Sequence, residues 1–152
     1  MALFNELKVG ADAPLFKVND FKGEIIDLQS FRGRKVVLYF YPKDMTPGCT
    51  AQACNLQENL EVLTKSNFVV IGVSADEVSR HERFAAKYNL EFTLISDTDH
   101  ILINQYGVWG LKKFMGKEYD GIHRTTFIID EKGSIEHIIE KPNTKNQTQQ
   151  IL

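Results

Sequence analysis

The stretch from Val36 to Cys54 constrains this chain more than any other. Six residues, Val36 to Tyr41, form an unbroken apolar run, the pattern of a buried strand. Pro42 ends it, because proline cannot donate to a ladder. A short polar loop leads to Thr46-Pro47-Gly48-Cys49. Thr46 is a natural N-cap, and Pro47 suits the first helical position, where its missing N–H costs nothing. The spacing predicts strand, loop and helix, with Cys49 in the first helical turn.

A thiol at that point differs from an ordinary thiol. The first turn of a helix has free N–H groups and the positive end of the macrodipole, both of which favour thiolate. Cysteines so placed, with positive partners, have pKa values lowered from about 8.5 to roughly 3.5–7.5. The bland alternative is a small buried hydrophobe that happens to be cysteine. Strand end, proline, cap and thiol converge on one point, and that favours the reactive reading.

The helix that begins there has an apolar face of Cys49, Ala53, Leu56, Leu60 and Leu63. Steps of three and four keep those five on one side. Cys54 is roughly 140° further round than Cys49. Phe68 to Val73 reads as a second buried strand, Val78 to Tyr88 as a helix with Asn89 as left-handed C-cap, and Phe92 to Ile95 as a third strand. Asp97 or Asp99 caps a short helix, His100 to Tyr106, closed by Gly107. Upstream, residues 1–14 read as a loose lead-in. Leu15 to Asn19 and Ile25 to Leu28 form a hairpin around Phe21 to Glu24. Downstream, Val108 to Gly121 reads as a glycine- and aromatic-rich loop. Thr125 to Asp130 and Ile135 to Ile139 form a second hairpin, and Thr144 caps a final helix ending at Leu152. This order suits an α/β fold: a central mixed β-sheet flanked by helices, with an N-terminal β-hairpin. At 152 residues the whole chain, 1–152, is expected to be a single domain.

The net charge of −2 and the lack of a basic stripe argue against nucleic acid or an anionic membrane as partner. Met1 to Glu6 lacks a basic region followed by an apolar stretch, and no run approaches transmembrane length. The expected location is the cytoplasm. Two cysteines five apart in a reducing compartment point to redox chemistry rather than a structural staple. His81, His100, His123 and His137 are scattered and read as surface residues, and no Cys/His spacing suggests zinc. Trp109 reads as packing.

At Pro42-x-x-x-Thr46-x-x-Cys49 the sequence resembles the active-site motif of the peroxiredoxins. Cys54 narrows the resemblance to the peroxiredoxin Q, or bacterioferritin comigratory protein, subgroup. The similarity extends through Tyr41-Pro42-Lys43-Asp44-x-Thr46-Pro47-Gly48-Cys49-Thr50, Ile95-Ser96-Asp97, Tyr106-Gly107-Val108-Trp109-Gly110, and Gly121-Ile122-x-Arg124-x-Thr126-Phe127-Ile128-Ile129-Asp130. The resemblance implies a thioredoxin-like fold and a thiol peroxidase. It implies that Cys49 is peroxidatic, Cys54 resolving, and that Pro42, Thr46 and Arg124 complete the pocket. Two departures stand out: Gln52 occupies a position where many members carry Glu, and Asn143 to Leu152 is rich in Gln and Asn.

The residues fit that chemistry. A thiolate at Cys49 attacks one oxygen of a hydroperoxide. Arg124 is permanently charged and stabilises the thiolate without joining the titration. Thr46 has one donor and two acceptor positions, enough to cap the helix and orient a peroxide. The bland alternatives, less favoured, are Thr46 as a plain cap and, without the resemblance, Arg124 as an exposed charge at a strand start. The sulfenic acid formed on Cys49 condenses with Cys54, the other cysteine of the chain, and thioredoxin is the expected reductant. The substrate is a peroxide, hydrogen peroxide or organic; no cofactor or metal is required. The chain is expected to be a monomer, with dimerisation left open. Two other classes compete: a general thiol–disulfide oxidoreductase, whose usual Cys-x-x-Cys is two residues shorter, and a redox-controlled interaction module.

Overall fold

The computed structural model describes residues 7–140 and 142–151. The first six residues of the expected lead-in and Leu152, the expected end of the final helix, lie outside the described residues. The architecture is the expected mixed α/β arrangement. A hairpin of β1 (Lys17–Asn19) and β2 (Ile25–Asp27) leads through a 3₁₀ turn to β3 (Lys35–Phe40). Then come α1 (Pro47–Glu58), α2 (Leu60–Lys65), β4 (Phe68–Ser74), α3 (Val78–Tyr88), β5 (Thr93–Ser96) and α4 (Ile101–Gln105). β6 (Trp109–Phe114), β7 (Lys117–Ile122), β8 (Thr125–Ile129), β9 (Ile135–Ile139) and α5 (Gln147–Ile151) complete the described chain.

The central sheet has the order β5-β4-β3-β8-β9. β3, β4 and β5 are parallel, and β8 and β9 join antiparallel. β3 lies in the middle and is buried on both faces, as its unbroken apolar run requires. The two-residue period of a strand divides that run. Val36, Leu38 and Phe40 face a core with Leu102, Ile103 and Tyr106. Val37, Tyr39 and Tyr41 face the opposite core with Cys49, Ala53, Leu56, Leu63 and Phe84. Each fully buried Leu or Phe contributes about 1.5–3 kcal/mol of transfer free energy, so α1 is held to the sheet by its apolar stripe. Cys49 reaches the core face of α1 because it belongs to that stripe.

Gly72 lies opposite Tyr39 in the parallel β3–β4 pair. A Cβ there would sit 2.9 Å from the Tyr39 hydroxyl, so the large ring fits only over a glycine.

Three expectations are corrected. The long helix breaks at Asn59, whose backbone N–H and side-chain amide both donate to Asn55 O. This is local competition of an Asn side chain with the helical ladder. The apolar stripe still continues, with Leu63 buried in α2. Val108 to Gly121 is a hairpin, β6–β7, rather than a loop. Met115 and Gly116 turn it with φ of 51° and 79°, the double positive φ of a tight hairpin turn. Its second strand is exposed along most of its length, so no apolar alternation marked it. The final helix starts at Gln147 instead of beside Thr144, because Asn143 Oδ1 accepts from Lys145 N in a preceding turn. Asn89 is left-handed at the end of α3, as expected. Asp97 receives the Ile101 and Ile103 N–H groups at the start of α4.

Candidate active site

Cys49 sits in the first turn of α1 and is 1 % exposed. Thr46 holds the N-cap position with extended backbone, and Pro47 opens the helix. The Thr46 hydroxyl does not cap the helix. It donates instead to Lys43 O at 2.8 Å, across the loop that leads from β3. Its two acceptor positions are therefore not consumed by that bond. Pro42 stands half-buried at the head of this loop, directly after β3.

Arg124 comes from the link between β7 and β8, whose pairing with β3 carries it to the same end of the sheet. Its Nη2 donates to Cys49 Sγ at 3.2 Å, and its Nη1 donates to Gln52 Oε1 at 2.6 Å. Gly48 makes room for the guanidinium: a Cβ there would lie 3.2 Å from Nη2. Among the described residues Arg124 has no carboxylate partner. Its charge is therefore directed at the sulfur rather than neutralised beside it. The positive end of α1 and this guanidinium act on the same atom.

Cys54 is on the same continuous helix, and neither thiol is bonded to the other. Burial pushes the Cys54 thiol up, and the nearby Glu58 carboxylate adds to the shift. The fold brings Cys49, Arg124 and Gln52 together, while Cys54 is half-buried five residues further along α1, on a different face of the helix.

Two groups were missed. The first is Gln147 of α5, which is fully buried and accepts from Gln52 Nε2 at 2.7 Å and from Thr126 Oγ1 at 2.9 Å. A buried Gln in a polar C-terminal segment gives no periodic signal, so only the unusual Gln and Asn content marked it. The second is His81, expected at the surface and found fully buried against Asp44. Its Nδ1 faces the Asp44 carboxylate and its Nε2 faces Ile95 O. Tyr41 donates to the other Asp44 oxygen at 2.6 Å, and Arg80 donates to Asp44 O at 2.9 Å. A lone histidine in an amphipathic helix reads as polar surface, whereas α3 buries this one because Asp44 awaits it in the loop after β3. The Asp44, Asp76 and His81 ligand-type atoms lie within 4.8 Å of one another. Asp76 is itself engaged by Ser74, Arg80 and the Asp44 N–H. The cluster is a hydrogen-bonded pin for the loop that carries Thr46. His100 packs on Trp109 at 4.6 Å between ring centroids, consistent with a packing role for the indole.

Two further groups feel the site. Lys112 of β6 has its ammonium pKa lowered by burial and then by the Arg124 charge, with Cys49 opposing. Tyr39 is kept neutral by burial first and by the charge of Cys49 second.

The sequence profile of the AhpC/TSA family matches residues 9–138. The peroxiredoxin Bcp of Escherichia coli K12 is 50% identical over 148 residues, covering 97% of this chain and 95% of that protein. The peroxiredoxin Bcp of Bacillus subtilis 168 is 41% identical over 146 residues, covering 96% and 93%. Among solved structures, a peroxiredoxin Q of Xanthomonas campestris superposes with a TM-score of 0.83 at 32% identity, covering 90% of this chain and 86% of that one. A bacterioferritin comigratory protein of the same organism, described for alkyl peroxide reduction, gives 0.85 at 29% identity, covering 95% and 94%. No helix among the described residues is long and apolar enough to cross a membrane.

Proposed function

This chain belongs to the AhpC/TSA family as a peroxiredoxin of the Bcp and peroxiredoxin Q type, a thiol peroxidase, and from that premise we propose that Cys49 is its peroxidatic thiol, Cys54 its resolving thiol and thioredoxin its reductant. The observation that carries the reading is the Arg124 guanidinium, donating to Cys49 Sγ at 3.2 Å in the first turn of a helix.

The Cys49 thiolate attacks the terminal oxygen of R–O–O–H. An S–O bond forms, the O–O bond breaks, and the leaving alkoxide or hydroxide takes up a proton as alcohol or water. Arg124 holds negative charge on sulfur before attack and on oxygen during it, in a site where water is scarce. It stays protonated throughout. The Thr46 hydroxyl, whose hydrogen is committed to Lys43 O, accepts from the O–H of the incoming peroxide and so aligns the O–O bond with the sulfur. Pro42, half-buried at the head of the loop, shields the sulfur from solvent.

Cys49 leaves this step as a sulfenic acid. The Cys54 thiolate attacks its sulfur, the S–O bond breaks, and hydroxide departs as water. A dithiol of the thioredoxin class then opens the disulfide through a mixed disulfide and is itself oxidised. Peroxide, a thioredoxin-type partner and no cofactor complete the cycle in this reading, with the cytoplasm as the compartment and a monomer as the working unit.

The test is peroxide-dependent NADPH consumption with thioredoxin and its reductase, using hydrogen peroxide and an organic hydroperoxide. Sustained turnover that vanishes in Cys49→Ser supports the reading. Retention of turnover in that variant, or insulin reduction without peroxide, overturns it.

A further inference from the structure

We propose that Gln147 is a positioning residue for the peroxidase reaction: its side-chain oxygen holds the Gln52 amide in the orientation that lets Gln52 accept from Arg124 on Cys49. The inference rests on the assignment of Cys49 and Arg124 above.

An amide side chain presents an oxygen on one side and a donor NH₂ on the other. Gln52 is fully buried, so both sides need partners. Its oxygen accepts from Arg124 Nη1, and its NH₂ donates to Gln147 Oε1. Flipped, Gln52 would turn an NH₂ towards a guanidinium, donor against donor. Gln147 decides which way it lies, because Gln147 has its own constraints. Its oxygen also accepts from Thr126 Oγ1, and its NH₂ donates to Gln150 Oε1 at 3.1 Å. Gln150 Oε1 in turn accepts the Asn143 backbone N–H at 2.8 Å.

The relay thus runs between two ends that can only donate: a backbone N–H and a guanidinium. Three amides between them have one consistent orientation, and it is the one that gives Arg124 its acceptor. Gln52 is neutral, so it orients the guanidinium without cancelling the charge at the sulfur. The match between Gln52 and Gln147 connects the two departures noted in the sequence. Asn55 secures the same helix pair, donating to Lys145 O and accepting from the Thr148 N–H and hydroxyl.

The experiment compares Gln147→Leu and Gln147→Glu in the full chain carrying Cys54→Ser, so that only the first oxidation is read. Leu removes the acceptor at similar volume; Glu retains it, and in this buried site its neutral acid form also keeps a donor for Gln150 Oε1 in place of the amide NH₂. Stopped-flow sulfenate formation should slow about tenfold in Gln147→Leu, the scale of one lost oriented hydrogen bond. Gln147→Glu should recover most of that rate, a rescue that loss of packing alone would not give. A wild-type rate in a folded Gln147→Leu protein overturns the proposal, as does an equal loss in both variants. In the unsubstituted protein the Gln52 side-chain NH₂ should exchange slowly by NMR, and exchange at the rate of a free amide also overturns it. Loss of Cys49 or Arg124 dependence would instead overturn the functional assignment, so the two failures are distinct.

Discussion

The Arg124 guanidinium donates to the Cys49 sulfur across 3.2 Å, with Gly48 clearing the space between the helix start and the strand that brings the arginine. The cation has no carboxylate partner among the described residues, so its charge is available to the thiolate. Arg124→Met should slow alkylation of Cys49 at neutral pH and lower the peroxide rate by about a hundredfold, as for loss of a buried oxyanion donor. Alkylation and stopped-flow rates equal to those of the unsubstituted protein would remove Arg124 from the site.

A second prediction concerns Cys54 and pH. Burial first and Glu58 second raise its thiol pKa. A raised pKa means less thiolate at a given pH, so Cys54 reactivity should climb as pH rises towards and beyond the ordinary thiol value. Glu58→Gln removes the smaller cause and should move that profile to lower pH, though burial keeps it above that of a free thiol. The measurement is the alkylation rate of Cys54 against pH in a Cys49→Ser background. A profile unmoved by Glu58→Gln would show that the carboxylate has no hold on this sulfur.

The buried pair of His81 and Asp44 leads to a third. Both side chains are fully buried, and removing one partner of such a hydrogen bond leaves a buried polar group short of a partner, at a cost of about 1–3 kcal/mol. His81→Phe should lower the unfolding free energy by roughly that amount. It should also loosen the loop that carries Thr46, since Asp44 holds the loop to α3 and β5 through His81. Urea unfolding with a midpoint close to the unsubstituted value would show that Tyr41 and Arg80 suffice.

These residues also mark where the sequence was legible and where it was not. β3 declares itself because burial on both faces demands an unbroken apolar run, α1 and α3 because one buried face imposes a period, and Pro42, Thr46 and Asn89 are local signals that act within a turn or two. The thiol's place followed from the same signals. The β6–β7 hairpin stayed hidden because a mostly exposed strand needs no apolar alternation, and Met115 does not look like a left-handed turn residue. His81 and Gln147 stayed hidden for a different reason. Each is a polar side chain whose burial depends on a partner 37 and 95 residues away in sequence, Asp44 and Gln52 respectively. Nothing in the local pattern encodes such a pairing.

The last prediction concerns motion in α1. Cys49 and Cys54 lie on one uninterrupted helix, Pro47–Glu58, as free thiols. Five helical steps place their Cα atoms roughly 8–9 Å apart, on different faces. A disulfide needs about 4.4–6.8 Å, so the helix seen here cannot hold the bond. With Cys54 as the proposed resolving thiol, oxidation has to open the first turns, from Thr46 to about Cys54. Pro47 lacks an N–H and Gly48 has low helix propensity, so those turns are weakly held. Against opening stand the buried stripe of Cys49 and Ala53 and the ties of Gln52 and Asn55 to Gln147 and Thr148 of α5. Peroxide attack and disulfide formation then belong to two conformations, and opening can limit turnover. Hydrogen exchange should show residues 46–56 less protected in the oxidised protein than in the reduced one. Cys54→Ser should keep the first oxidation, lose thioredoxin-coupled turnover and remain protected across that segment, because no bond pulls the helix open. Equal protection in reduced and oxidised protein, or a disulfide formed without loss of helix, would sink both the model and the assignment of Cys54.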